Sequence, residues 1–105
     1  MSAAMQFEFP YSMSKDEARK RLEALCDYLG NRHGLRPEWT GDVASIKGRY
    51  TVVKIDGSMR LNDGSVEFTG KDPGMLWRKK AVSYLRGKLG KYLDPSVPVA
   101  ELPRS

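Results

Sequence analysis

Met5, Phe7 and Phe9 alternate with Gln6 and Glu8, the period-two signature of a strand with one buried face, and Pro10 ends the run. Ser14 followed by Glu17 reads as a capping box: the serine oxygen takes an orphan amide at a helix start, and the glutamate reaches back. Met13 and Ala18 are spaced to form the accompanying hydrophobic staple. Beyond the cap, Ala18, Leu22, Leu25, Cys26 and Leu29 fall within about 100° of arc, while Arg19, Lys20, Glu23 and Asp27 face elsewhere. This is an amphipathic helix on a core, and Gly34 supplies the left-handed residue that ends it.

Turn signals recur from Trp39 to Lys71, at Gly41-Asp42, Gly48-Arg49, Asp56-Gly57 and Asn62-Asp63-Gly64. Register decides which of them reverse the chain. A hairpin at Asp63-Gly64 pairs Leu61 with Val66 and Met59 with Phe68, all apolar, as a buried face requires. A hairpin at Asp56-Gly57 would put Ile55 beside Ser58 and Arg60, mixing core with solvent. Residues 51, 53, 55, 57, 59 and 61 keep their parity through Gly57, which predicts one long strand that bends or bulges there. The same logic at Gly48-Arg49 pairs Ala44 with Val53 and Ile46 with Thr51. The opposite face then carries Lys47, Lys54, Asp56, Arg60 and Glu67, with Tyr50 and Val52 as its apolar exceptions.

Asp72, with Pro73 behind it, is the expected cap of a second helix running to about Leu93. On this helix Trp77, Ala81, Val82, Leu85, Leu89 and Tyr92 share one face, and Tyr84, Lys80, Lys88 and Lys91 lie along or beside its edge. Gly87 and Gly90 weaken it by about 1 kcal/mol each against alanine, which suggests close packing. The predicted fold class is α+β: a two-layer β-α-β-β-β-α chain whose antiparallel meander sheet carries both helices on one face. Residues 1–94 are expected to form the single domain, with 95–105, which contain Pro95, Pro98 and Pro103, as a flexible C-terminal tail.

At 105 residues, 40% hydrophobic and 30% charged, the chain suits one globular domain. The net charge of +5 is less informative than its placement: Lys71 to Leu93 hold seven cations against the single acid Asp72. A field of this kind favours an anionic partner, whether a lipid-coated surface, an acidic protein or nucleic acid. No apolar run approaches the roughly 20 residues of a membrane span, and Met1 to Pro10 lack a secretory pattern, so a cytoplasmic location is the default.

Catalytic chemistry finds little to work with. His33 is the only histidine and Cys26 the only cysteine, about two helical turns apart, too far to act on each other. The expected roles are structural, Cys26 in the core and His33 near a helix C-terminus. No phosphate-binding glycine motif occurs, and neither a metal site nor a cofactor is expected. The candidate binding strip is Trp77, Lys80, Tyr84, Lys88 and Lys91, because tryptophan and tyrosine beside lysines suit a boundary between apolar matter and water. The plain alternative has the aromatics sealing the core rim while the lysines are hydrated. Trp39 reads as a core or rim residue.

Ala18 to Leu29, Glu38-Trp39-Thr40-Gly41-Asp42, Gly57-Ser58-Met59-Arg60-Leu61, Val66-Glu67-Phe68 and the closing Leu85, Leu89 and Leu93 together resemble a family of small bacterial proteins. These are the proteins named for the polyhydroxyalkanoic acid system or granule region. Here the link Thr69 to Pro73 is more polar than the leucine-containing link of that family. The resemblance implies association with storage polyester or its granules and brings no established reaction. Together with the basic strip it predicts a non-enzymatic accessory protein that binds a polyester granule, another anionic surface or an acidic protein partner. A nucleic-acid module ranks lower, since Tyr50 alone offers a stacking platform on the exposed sheet face, and a carrier of a small apolar ligand is the remaining option. Unpaired sheet edges could promote a homodimer.

Overall fold

The structure, a computed structural model, describes residues 4–50 and 52–105. Five strands, β1 (Ala4–Pro10), β2 (Arg36–Thr40), β3 (Val43–Tyr50), β4 (Val53–Asn62) and β5 (Ser65–Lys71), form an antiparallel sheet in the order β1-β5-β4-β3-β2. Two helices, α1 (Lys15–His33) and α2 (Met75–Tyr92), contribute to the core over one face of it. The architecture is α+β, with one strand more than the hydrophobic pattern predicted. That strand is β2, whose exposed and half-buried residues alternate along the sheet edge and which includes Pro37.

Odd-numbered residues of β4 turn toward the helices, as their parity requires. Phe7, Phe68, Met59, Ala44 and Trp39 line up as successive cross-strand partners, and Phe9, Val66 and Leu61 form the next row. The expected pairings of Leu61 with Val66 and Met59 with Phe68 are present. The β3–β4 reversal differs from expectation. Tyr50 pairs with Val53, so the chain turns beyond Gly48-Arg49, Ala44 faces Met59 rather than Val53, and Ile46 faces Gly57. Thr51, the expected partner of Ile46, lies outside the described residues, as does the side chain of Tyr50. Strand β3 continues through Gly48 because Leu35 lies across that position; a Cβ there would come within 2.9 Å of the leucine Cδ2.

Gly57 neither bends nor bulges the sheet, since it keeps register with both Ile46 and Gly70. Its lack of a side chain makes room for Phe68, whose ring atoms would lie 2.9 Å from a Cβ at Gly57 and 3.0 Å from one at Gly70. The Phe68 ring therefore covers the Gly57–Gly70 pair on the helix side of the sheet.

The Ser14 hydroxyl accepts the Glu17 amide as expected, while the Glu17 carboxylate pairs with Arg21 at 3.3 Å. Gly34 closes α1 with φ 69°. Helix α2 begins two residues later than the pattern suggested: Gly74 is its N-cap, and Asp72 acts before it, accepting the Gly74 amide at 2.9 Å and pairing with Arg78. The α2 face is also less deeply buried than its wheel implied. Only Leu89 and Tyr92 of this helix are buried; Ala81, Val82 and Leu85 are half-covered.

The end of α2 is pinned from below. Arg21, 2% exposed, donates from Nη1 to the carbonyls of Tyr92 (3.2 Å) and Asp94 (2.9 Å). A guanidinium under the last turn of a helix satisfies carbonyls that have no partner within it and complements the helix dipole. Residues 95–105, expected to be a loose tail, instead fold back over α1. Leu102 is buried in the core, the Tyr92 hydroxyl donates to the Pro103 carbonyl, Asn31 donates to the Arg104 carbonyl, and Arg104 pairs with Asp27. The prolines there shape a short 3₁₀ turn at Val99–Glu101.

Replacing Arg21 with methionine keeps much of the apolar stem and strands those carbonyls. The expected loss is about 2 kcal/mol of stability, read as a lower urea midpoint at unchanged slope.

Candidate functional site

The two helices run antiparallel and part company toward the C-terminal end of α1. Where α2 is anchored, Leu89 and Tyr92 reach the core, and a Cβ at Gly90 would lie 3.7 Å from the Phe9 ring. Toward Met75 the helix stands off the sheet, and a cleft of about 420 Å³ opens beneath it. Its floor is Met5, Ile46, Ile55, Phe68 and the side-chain-free pair Gly57 and Gly70. Leu29, His33 and Leu35 bound it from the α1 side, and Trp77, Ala81, Tyr84 and Leu85 form the α2 side. The volume falls within the range of small-molecule sites, and the lining is mostly apolar.

The cleft exists for a local reason. Two adjacent inward positions of the sheet carry no side chain of their own and are covered by the Phe68 ring alone, and the α2 side contributes the small Ala81, so the layers leave a gap. A signal was available in the sequence: Gly48, Gly57 and Gly70 all lie on inward-facing parity, interrupting a face otherwise built of large apolar residues.

Aromatic and cationic contacts tie the two helices together near Tyr84. The Tyr84 hydroxyl and His33 Nε2 are 2.8 Å apart, and Lys88 Nζ sits 4.4 Å from the Tyr28 ring centroid and 5.6 Å from that of Tyr84. Burial holds the His33 imidazole below its usual pKa, with Arg32 and Lys88 adding to the effect, so the neutral ring is favoured. A hydrogen bond with Lys88 lowers the Tyr28 phenol. Beyond this junction Lys80 Nζ lies 5.8 Å from the Trp77 ring centroid.

The predicted strip is therefore divided. Trp77, Lys80 and Tyr84 line the cleft, Lys88 belongs to the α1 junction, and Lys91 is exposed and takes no part in the lining. Trp39 occupies the core rim, with the Arg19 guanidinium 3.9 Å from its ring centroid. Pattern reasoning missed two apolar residues left in solvent at this end of the molecule, Met75 (85% exposed) and Leu76 (85%); Val52 (83%), which the pattern set on the face away from the core, joins them. Val52, Pro73 and Trp77 share a shallow recess at the edge of the cleft. Among the described residues, no group of His, Cys, Asp and Glu has the arrangement of a metal site, and no helix is long and apolar enough to cross a membrane.

These features define a two-layer α+β protein with a basic helix raised over an apolar cleft. Residues 5–96 match the model of the family described as "Putative polyhydroxyalkanoic acid system protein", and the chain belongs to that family. The description ties the protein to the polyhydroxyalkanoate system and names no reaction. No curated protein and no solved structure matches the chain.

Cys26 is buried, and desolvation, with Asp27 and Glu23 adding, pushes its thiol up to about 12. At pH 8 the native protein should leave an aromatic disulfide reagent almost unreacted, with one thiol released on unfolding in urea. Prompt reaction of the folded protein would contradict the placement of Cys26.

Proposed function

We propose that this protein is a non-catalytic accessory protein of the polyhydroxyalkanoate system that docks on the anionic, amphiphilic coat of a storage granule through the raised half of α2. The carrying observation is the exposure of Met75 and Leu76 directly before Arg78, Lys79 and Lys80. Apolar side chains are costly to leave in water, and a surface offering both hydrocarbon and negative charge satisfies the leucine, the methionine and the cations together. Trp77 and Tyr84 extend the apolar contact, while Lys88 and Lys91 add positive charge further along the helix. A cytoplasmic, granule-bound location follows from this reading.

The non-catalytic reading is supported by Cys26, which is buried and held protonated, and by a family description that names no reaction. An acidic protein partner would engage the same cations. The exposed Met75 and Leu76 favour the amphiphilic surface over it, and over nucleic acid.

The test is co-sedimentation with poly(3-hydroxybutyrate) particles coated with phosphatidylglycerol. The M75E/L76E protein should bind roughly ten-fold more weakly, from the lost burial of two apolar side chains. A K80E/K88E/K91E protein should lose affinity and most of its dependence on salt. Undiminished binding by both variants would remove the proposed interface.

A further inference from the structure

We infer that the cleft beneath α2 is a binding site for a single medium-length acyl chain bearing a carboxylate head group. The chemistry of its walls selects the class. Met5, Ile46, Ile55, Phe68 and Leu85 present hydrocarbon along a cleft about 420 Å³ in volume, which suits a flexible methylene chain. The Phe68 ring lies over Gly57 and Gly70, so a chain in the cleft rests on that ring and its apolar neighbours. A rigid polar ligand would meet few hydrogen-bonding side chains here, whereas a hydrocarbon tail needs none.

Charge selects the head group. The ionisable residues at the cleft are Lys54, Lys71, Lys80 and His33, against the one acid Asp56. Lys54, Asp56 and Lys71 stand on the strand parity that faces away from the helices and meet the cleft only at its edge. Lys80 is different, because it projects from α2 beside Trp77 on the cleft side. A carboxylate at the open end therefore has a lysine to pair with while its tail is buried against Phe68 and Ile55. The opposite end is spanned by the contact between His33 and Tyr84, which sets how far the tail can extend.

The cleft shares Trp77, Lys80 and Tyr84 with the docking surface but not Met75 and Leu76, which stand in solvent and outside the lining, so those two residues separate the readings. The two readings can fail independently: M75E/L76E should keep the ligand, and a filled cleft should keep the surface.

Calorimetric titration with decanoate, below the concentration at which it aggregates, tests the inference. One saturable site is expected, and decyltrimethylammonium, with the same tail and the opposite head, should bind roughly five-fold more weakly or worse. K80E should erase that preference. Ala81→Phe, which places a ring in the cleft from a half-buried position, should abolish binding at native circular dichroism. In the unmodified protein, decanoate should shift the methyl resonances of Ile46, Ile55 and Met5. Equal binding of the two amphiphiles, or methyl shifts confined to residues outside the cleft, would overturn the assignment whether or not Ala81→Phe folds.

Discussion

Arg21 lies under the last turn of α2, where its guanidinium holds the Tyr92 and Asp94 carbonyls, and this contact decides where the second helix can rest. Moving a charge out of water is costly unless it is fully engaged, so Arg21 is held to a position where the helix carbonyls and Glu17 surround it. Leu89, Tyr92, Leu93 and Leu102 then complete the core around it. With one end fixed, the rest of α2 must project over whatever surface the sheet offers. At Gly57 and Gly70 the sheet offers only the overlying Phe68 ring, and the helix contributes the small Ala81, so a cleft remains between the layers.

Much of the architecture was legible because the dominant signals were local or periodic. The capping serine, the apolar arc of α1, the Asp63-Gly64 turn and the unbroken parity of β4 each depend on a few neighbouring residues. Strand β2 escaped notice because an edge strand with Pro37 carries only half of a burial pattern. The β3–β4 turn was misplaced because Gly48-Arg49 looks like a turn in isolation. Its glycine answers a tertiary demand, the passage of Leu35 across the strand. The cap of α2 was displaced for a similar reason, since Asp72 can accept an amide two residues on without being the cap itself.

The candidate site was only partly visible. Trp77, Lys80 and Tyr84 could be grouped by helical spacing, but that spacing could not say that the helix is lifted clear of the sheet. That Gly57 faces Gly70 follows from the same Asp63-Gly64 register that pairs Leu61 with Val66, but the stand-off of the helix depends on packing between layers whose segments are far apart in sequence. The buried Arg21 was hidden for the same reason: its partners Tyr92 and Asp94 are contributed by the far end of the chain.

Gly87 sits between the anchored and the raised parts of α2, and a Cβ added there would meet nothing within 4 Å. At Gly90, one turn on, a Cβ would make only an ordinary contact with Phe9, so close packing does not require glycine at either position. A glycine inside a helix costs about 1 kcal/mol against alanine, so the weakest backbone in α2 coincides with the fulcrum of its overhang. The Tyr84–His33 contact lies on the raised side of that point, so the overhang is braced by a side-chain tie to α1 where its own backbone is least constrained.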